Sequence, residues 1–414
     1  QHPGGVVVVP DTVDYTDILP VQYPADDLEA PLRTTHYEYH KFEENLLKLD
    51  ILGHDDPTVI KRLMDFVNEN PSEFPFTNVE GIPFYDTKVL SLFSSKNALN
   101  LNGDDNDKIN NGTIGIPEFG TGFVRGLLDE IKPKRIEDII KISGISHGTD
   151  VWLNNARDLL FGLSMTNEPI PFEKVIGCRD DIMVDLLSYG LEDFDAFMIM
   201  EHVRKGKGLT EAERQLMTSH DVPEWYQLSC QKIKYMFPKA HATAYVIQAL
   251  RIGWFKVYRP IYYYSAYFSC RAKELDVEVL ASGKNAIRNK INELRGKIAN
   301  KTASNKEIEL IDELQIGLEM YLRGYSFKQV DIEKSEASLF VISEDKKSLY
   351  LPFDAVDGLG IAAAQSVIDA RNERPFASKK DVERRSKLNR TIFNKLLRLG
   401  TFDSPPDEEM NSML

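Results

Sequence analysis

The stretch NLLKLDILGHDDPTVIKRLMDFV, residues 45–67, changes its hydrophobic period halfway along and thereby sets the class of fold. Residues 45–52 read as an apolar strand that enters a turn at Gly53. Beyond Pro57 the apolar residues recur at three- and four-residue spacing, the period of an amphipathic helix. VVVV (6–9) is a second strand-length run, and THYEYHKF (35–42) alternates as a partly buried strand would. Downstream, helical spacing dominates to about residue 323, with a long helix starting after Pro238. SLFVISEDKKSLYLPF (338–353) reads as a hairpin around a charged turn, and 354–402 as short helices. LNLNGDDNDKINNG (99–112) is expected to be a mobile loop, and 403–414 a flexible tail. The expected class is α+β and mainly helical.

The chain has 414 residues and a net charge of −14. At roughly 100–200 residues per domain, that length suggests two to four domains. No run approaches the ~18 apolar residues that a membrane span requires. Cys178, Cys230 and Cys270 are far apart and odd in number, which argues against a disulfide framework or a Cys-rich zinc site. A cytosolic globular protein is expected, with no membrane partner. Because the chain opens on Gln1, it is expected to be a piece of something longer.

The acidity is unevenly spread. Residues 1–60 are rich in Asp and Glu, whereas 202–260 carry Arg204, Lys205, Lys207, Arg214, Lys232, Lys234, Lys239, Arg251, Lys256 and Arg259 against few acids. Residues 371–400 are basic again. Local basic runs in an acidic chain are either solvated helix faces or a footprint for polyanions along a defined track. Two separate runs favour phosphate handling.

Asp50 ends an apolar strand just before a glycine turn, a rigid way to present an oxygen ligand to a hard cation such as Mg²⁺. A plain strand end is the competing reading. His54, Asp55 and Asp56 suggest a metal cluster, but HDDP reads equally well as helix capping with Pro57 in the first turn. His36 and His40 share a face of the expected strand. In FPKAHATAYVIQALRIGWFKVY (237–258), Lys239 and His241 fall in a first helical turn, where free N–H groups and the helix dipole attract anions. Ala240, Ala242 and Ala244 keep that end slim, and Tyr245 can offer its ring to a base or sugar. VRKGKGLT (203–210) is a cationic, glycine-rich loop bearing Arg204, Lys205 and Lys207, but it lacks Walker spacing. Arg179 is either a phosphate contact or a partner of Asp180 or Asp181. In SHGTDVW, Thr149 or Asp150 is expected to cap a helix that follows His147. Gly358-Leu359-Gly360 before an Ala-rich helix would let backbone N–H groups touch a DNA phosphate. The stretch 381–400 looks like a degenerate second hairpin, with Asn389 as cap and Lys387 and Arg390 beside it.

HPGGVVVVP (2–10), KLDILGHDDPT (48–58), GISHGTDVW (144–152), VIGCRDDIM (175–183), VRKGKGLT (203–210) and KYMFPKAHATAY (234–245) resemble the C-terminal half of bacterial DNA polymerase III alpha subunits of the PolC type. The resemblance runs in order from Gly4 to about Asp403. It implies the C-terminal part of a nucleotidyltransferase-like palm over 1–56, fingers over 57–352 and a tandem helix-hairpin-helix module over 353–402. In that family three palm aspartates hold two Mg²⁺ ions about 4 Å apart. Asp50 matches the lone third aspartate, and the Asp-x-Asp pair is not in this sequence. The chain alone is therefore expected not to polymerise. The resemblance also implies that the 238–258 helix faces the incoming dNTP and that His147 and Thr149 lie near the nascent base pair. Primer–template DNA and the remainder of the polymerase chain are the implied partners. A sliding clamp is a further one, although EMNSML (409–414) lacks the Gln and aromatic residue of the family's clamp peptide. Two competing readings are a non-catalytic DNA-binding protein and a metal phosphohydrolase built on His36, His40, Asp50 and His54.

Overall fold

The computed structural model describes residues 5–42, 45–51, 53–101 and 109–403. The side chain of His40 lies outside that description, as do 102–108 of the polar loop and all but the first residue of the tail, including 409–414. The chain divides into two units, 1–55 and 56–414.

In the first unit β1 (Gly5–Val8) is followed by α1 (Tyr15–Ile18), β2 (Val21–Gln22), β3 (Thr34–Thr35) and β4 (Leu47–Asp50). β1 pairs antiparallel with β4, so that Gly5 faces Asp50 and Val8 faces Leu47. β2 pairs antiparallel with β3. The strand expected over 35–42 is confined to its first residue. Its partner β2 has only two residues to offer, and Tyr39–Lys41 instead coils into a 3₁₀ turn in which Tyr39 meets Phe42 edge-on at 5.3 Å.

The second unit is mainly helical. α2 (Asp55–Glu69) buries Val59, Ile60, Leu63, Phe66 and Val67, the stripe that its sequence spacing predicts. Then come α3 (Thr87–Leu90), α4 (Gly122–Ile131), α5 (Ile136–His147) and α6 (Arg157–Phe161). α7 (Arg179–Ser188) and α8 (Asp193–Arg204) pack on each other, followed by α9 (Glu211–Ser219) and α10 (Glu224–Lys232). α11 (Lys239–Tyr258) is about 30 Å long and lies against α3, α5, α7 and α12 (Pro260–Cys270). With neighbours on so many sides, its second half is buried all round, from Ile252 to Val257. α13 (Val277–Ala281), α14 (Lys284–Ala299) and α15 (Asn305–Leu322) follow. The expected hairpin is β6 (Val341–Ile342) with β7 (Ser348–Tyr350), and β5 (Ser326–Lys328) adds to β7 in parallel. α16 (Ile361–Glu373), α17 (Lys379–Arg385) and α18 (Arg390–Arg398) complete the described chain.

Two capping expectations differ from the structure. Asp56 is no solvent-facing cap: it is buried and accepts from Arg271 at 2.6 Å, tying α2 to the end of α12. No helix starts at Thr149 or Asp150 either. α5 runs through His147 and ends at Gly148, Thr149 bridges to Tyr235, and irregular backbone spans Leu153–Asn155. The buried amide of Asn155 sustains that irregular segment by donating to the carbonyls of Asp150 and Ser229.

Candidate nucleotide and nucleic-acid site

Asp50 closes β4 with its side chain open to solvent, 62 % exposed. Lys48 lies on the same strand face, two residues back, with its Nζ 3.1 Å from Asp50 Oδ1 and 4.3 Å from the centre of the Tyr39 ring. Opposite, a Cβ at Gly5 would come within 3.2 Å of Lys48 Cδ, so glycine leaves that face clear. The accessible carboxylate fits a role as one hard-oxygen ligand to a divalent cation. A two-metal centre needs further carboxylates beside it.

In the second unit, backbone bonds pin the entry to α11. Thr149 N–H donates to the Tyr235 carbonyl (3.0 Å), Lys234 N–H to that of Thr149 (3.1 Å) and Arg179 N–H to that of Phe237 (3.2 Å). Pro238 precedes the first helical residue and fixes the approach. Lys239 N–H, one of the helix's orphan donors, gives its hydrogen bond to Asp180 Oδ2 at 2.7 Å. Its Nζ lies 3.2 Å from Asp181 Oδ1, while the other Asp181 oxygen accepts from the N–H groups of Gly177 and Cys178. Burial works against the Lys239 charge, but the neighbouring Asp181 carboxylate prevails and raises its pKa. Lys239 is therefore a cation held in place, half exposed at the helix head. Arg179 has no ion-pair partner among the described residues.

A row of rings runs from the end of α5 onto α11. His147 stacks on Phe237 at 4.8 Å, Phe237 meets His241 at 4.7 Å, and His241 meets Tyr245 edge-on at 4.7 Å. His147 Nε2 lies 2.7 Å from Glu118 Oε2, and its Nδ1 2.7 Å from the Ser143 carbonyl. The bond to Glu118 raises the His147 pKa against the opposing effect of burial.

Glu118 itself has a left-handed backbone (φ 67°), and the segment just before it is pinned by a side chain of α11. There the fully buried Lys256 donates to the carbonyls of Gly112 (2.8 Å) and Ile114 (2.6 Å) and to Glu319 (2.9 Å). Tyr264 donates to the second Glu319 oxygen at 2.6 Å. Burial pulls the Lys256 pKa down to about 8. Sequence reasoning missed Glu118, Phe237 and this buried pair. A lysine inside the apolar run WFKV (254–257) was the available signal.

The 203–210 loop also reaches this region. A Cβ at Gly206 (φ 69°) would sit 2.5 Å from the Lys234 carbonyl, and Leu209 N–H donates to Gln231 Oε1 at 2.9 Å. The loop backbone thus packs against the segment that leads into α11. Arg204 grips Glu201 through two 2.7 Å bonds, and Lys205 lies 3.2 Å from the same carboxylate, whose pKa falls to about 2. Lys207 is exposed. The structure therefore gathers Lys239, His241, Tyr245, His147, Thr149 and Arg179 around one helix head, with the cationic loop alongside.

At the other end of the chain, Gly358 (φ 86°) turns the backbone and Gly360 caps α16. Asn389 caps α18 by accepting from Ile392 N–H at 2.9 Å, as expected. The two turns are neighbours, since Lys395 Nζ donates to the Asp357 carbonyl at 3.0 Å and Lys387 N–H to Ser366 at 2.8 Å. Lys387 and Arg390 are exposed beside the second turn. Not every nearby cation is available, because the buried Asp381 carboxylate binds Arg374, Arg384 and Arg385.

Residues 1–53 match the family profile of the bacterial DNA polymerase III alpha NTPase domain, 56–221 that of its finger domain, and 324–409 a helix-hairpin-helix motif. These matches define a chain of the bacterial DNA polymerase III alpha class, mainly helical, with a finger domain and a helix-hairpin-helix motif. Over 413 residues it is 48 % identical to DNA polymerase III PolC-type of Halalkalibacterium halodurans and 46 % identical to that of Bacillus subtilis. The Pediococcus pentosaceus protein is 45 % identical over 415 residues. Each alignment covers 100 % of this chain and 28 % of the relative. The chain belongs to the PolC-type DNA polymerase III family and spans under a third of the length of these relatives. No helix among the described residues is long and apolar enough to cross a membrane.

Proposed function

We propose that this chain supplies the end of the palm, the fingers and a duplex-gripping module of a DNA-directed DNA polymerase. In this reading 1–56 is the C-terminal part of the palm, 57–352 the fingers, 353–402 the helix-hairpin-helix module and 403–414 a tail. The observation that carries it is the ring row His147–Phe237–His241–Tyr245 running onto a helix headed by the held cation Lys239.

Lys239 and the α11 N-terminus receive the triphosphate of a dNTP, with Arg204, Lys205, Lys207 and Arg179 as further cations for nucleotide and template phosphates. His241 and Tyr245 offer ring surface to sugar and base, and His147 and Thr149 lie toward the nascent base pair. Asp50 gives one carboxylate to a divalent metal site, with Mg²⁺ the fitting ion. Such metals, when bound, supply activation of the primer 3′ hydroxyl and stabilisation of the departing pyrophosphate. Gly358 and Gly360, with Lys387 and Arg390 at the second turn, hold duplex backbone without reading sequence. The tail is a candidate sliding-clamp contact. The setting is the bacterial cytoplasm.

One carboxylate cannot hold two metals, so the chain alone is expected to extend no primer. The decisive experiment adds a palm segment carrying an Asp-x-Asp strand and measures primer extension. Activity should appear and vanish with Asp50→Ala. Activity that survives Asp50→Ala would remove Asp50 from the metal site and favour a DNA-binding role without catalysis.

A further inference from the structure

From the geometry beside α11 we infer that the cavity between α2 and α11 is a binding slot for one unstacked nucleobase of single-stranded template. The inference rests on the polymerase reading above. The cavity has a volume of about 390 Å³, and Ile60, Met64 and Val79 form apolar walls, with Gln248 and Arg251 at its α11 side. It is large enough for a base with its sugar and falls at the small end of the range for ligand pockets. Apolar walls suit the faces of a planar ring, while a guanidinium and a carboxamide suit its hydrogen-bonding edge.

Arg251 is the residue that asks for a ligand. Its Nε is buried with no hydrogen-bond partner, in a chain with an excess of acids. Nε itself is sealed from the cavity, but the rest of the partly exposed guanidinium lines it and makes no hydrogen bond or ion pair among the described residues, which leaves its outer N–H groups for a base acceptor. Position on the helix supplies the second argument. His241, Tyr245, Gln248 and Arg251 follow one another at four-, three- and three-residue steps, so they form one stripe along α11. From Tyr245 to Arg251 the helix rises about 9 Å, room for two or three stacked bases. A strand whose copied base lies by Tyr245 therefore meets the cavity with a base still waiting to be paired. Lys61 at the cavity edge adds a cation for the strand's phosphates.

The test measures binding of the full chain to fluorescent duplexes by anisotropy. One duplex has a two-nucleotide 5′ template overhang, a second is blunt, and a third carries abasic sites in the overhang. The overhang duplex should bind more tightly than the other two by about five- to tenfold, the worth of one base contact. Arg251→Ala and Gln248→Ala should erase that preference and leave blunt-duplex binding unchanged. Met64→Trp, which fills the cavity while keeping Arg251 and Gln248 in the chain, should do the same, with melting temperatures checking the fold. Equal binding of all three duplexes by the unsubstituted chain, or a preference that survives both Arg251→Ala and Met64→Trp, overturns the slot while leaving the polymerase reading intact. Failure to bind any duplex overturns both.

Discussion

His147 and Glu118 meet at 2.7 Å, joining the end of α5 to a loop whose preceding backbone, at Ile114, is held by Lys256. The pair sets the tilt of the first ring in the row that leads to α11. Because Glu118 raises the His147 pKa, the stabilisation is fully present below the unfolded value of about 6.5 and is lost as pH rises through the folded value. Melting temperatures measured from about pH 6 to pH 9 should therefore fall on the alkaline side. Glu118→Gln should flatten this dependence and lower the His147 pKa seen by NMR titration.

Lys256→Met should be among the most damaging single substitutions. It leaves the Glu319 carboxylate buried without its cation, strands the Gly112 carbonyl and leaves that of Ile114 with only a 3.4 Å bond from the Tyr263 hydroxyl. Breaking such a buried pair costs about 3–5 kcal/mol, measurable by urea unfolding. The double variant with Glu319→Gln should recover part of that loss, because the uncompensated charge is gone.

Lys239→Ala should separate binding from stability. Lys239 is half exposed, and the buried Asp181 keeps the N–H groups of Gly177 and Cys178 and has Lys141 at 3.7 Å, so unfolding free energy should change by only about 1 kcal/mol. Loss of a charge-assisted phosphate contact should weaken dNTP binding by about tenfold, read by fluorescence titration. Unchanged affinity would remove Lys239 from the phosphate site.

The two glycines of the first hairpin turn should behave differently. Gly358 has φ of 86°, and a Cβ there would lie 3.3 Å from Ile392, so Gly358→Leu should cost at least about 1–2 kcal/mol. Gly360 has ordinary backbone angles and open space around it, so Gly360→Leu should cost about 1 kcal/mol or less. Its leucine nonetheless stands where a phosphate would approach, and duplex affinity should fall in an anisotropy assay.

Asp381→Asn tests the arginine clamp of the C-terminal module. Burial opposes ionisation of Asp381, but the Ala377 N–H and the three arginines prevail and hold its pKa well below the carboxylate range. The clamp's contribution is present above about pH 4 and is lost as pH falls toward the folded value. The melting-temperature gap between the parent chain and Asp381→Asn should be wide at neutral pH and close on acidification.

Elements whose signal is local were legible in the amino-acid order alone. The change of period at 45–67 marked a strand passing into a helix, Pro238 marked the start of α11, and Asn389 marked a cap. Each depends on residues within a turn or two of one another, where propensity and capping decide. The lone aspartate and the basic helix head were legible for the same reason. What the tertiary structure decided was which charges are held and by what. Asp56 became an ion-pair partner of Arg271 across the fold, and SHGTDVW ended a helix where it was expected to begin one. Glu118 came to hold His147, and Glu319 came to neutralise a lysine in the middle of α11. Ion pairs and ring contacts between residues distant in sequence depend on how helices pack, and no spacing rule carries that information.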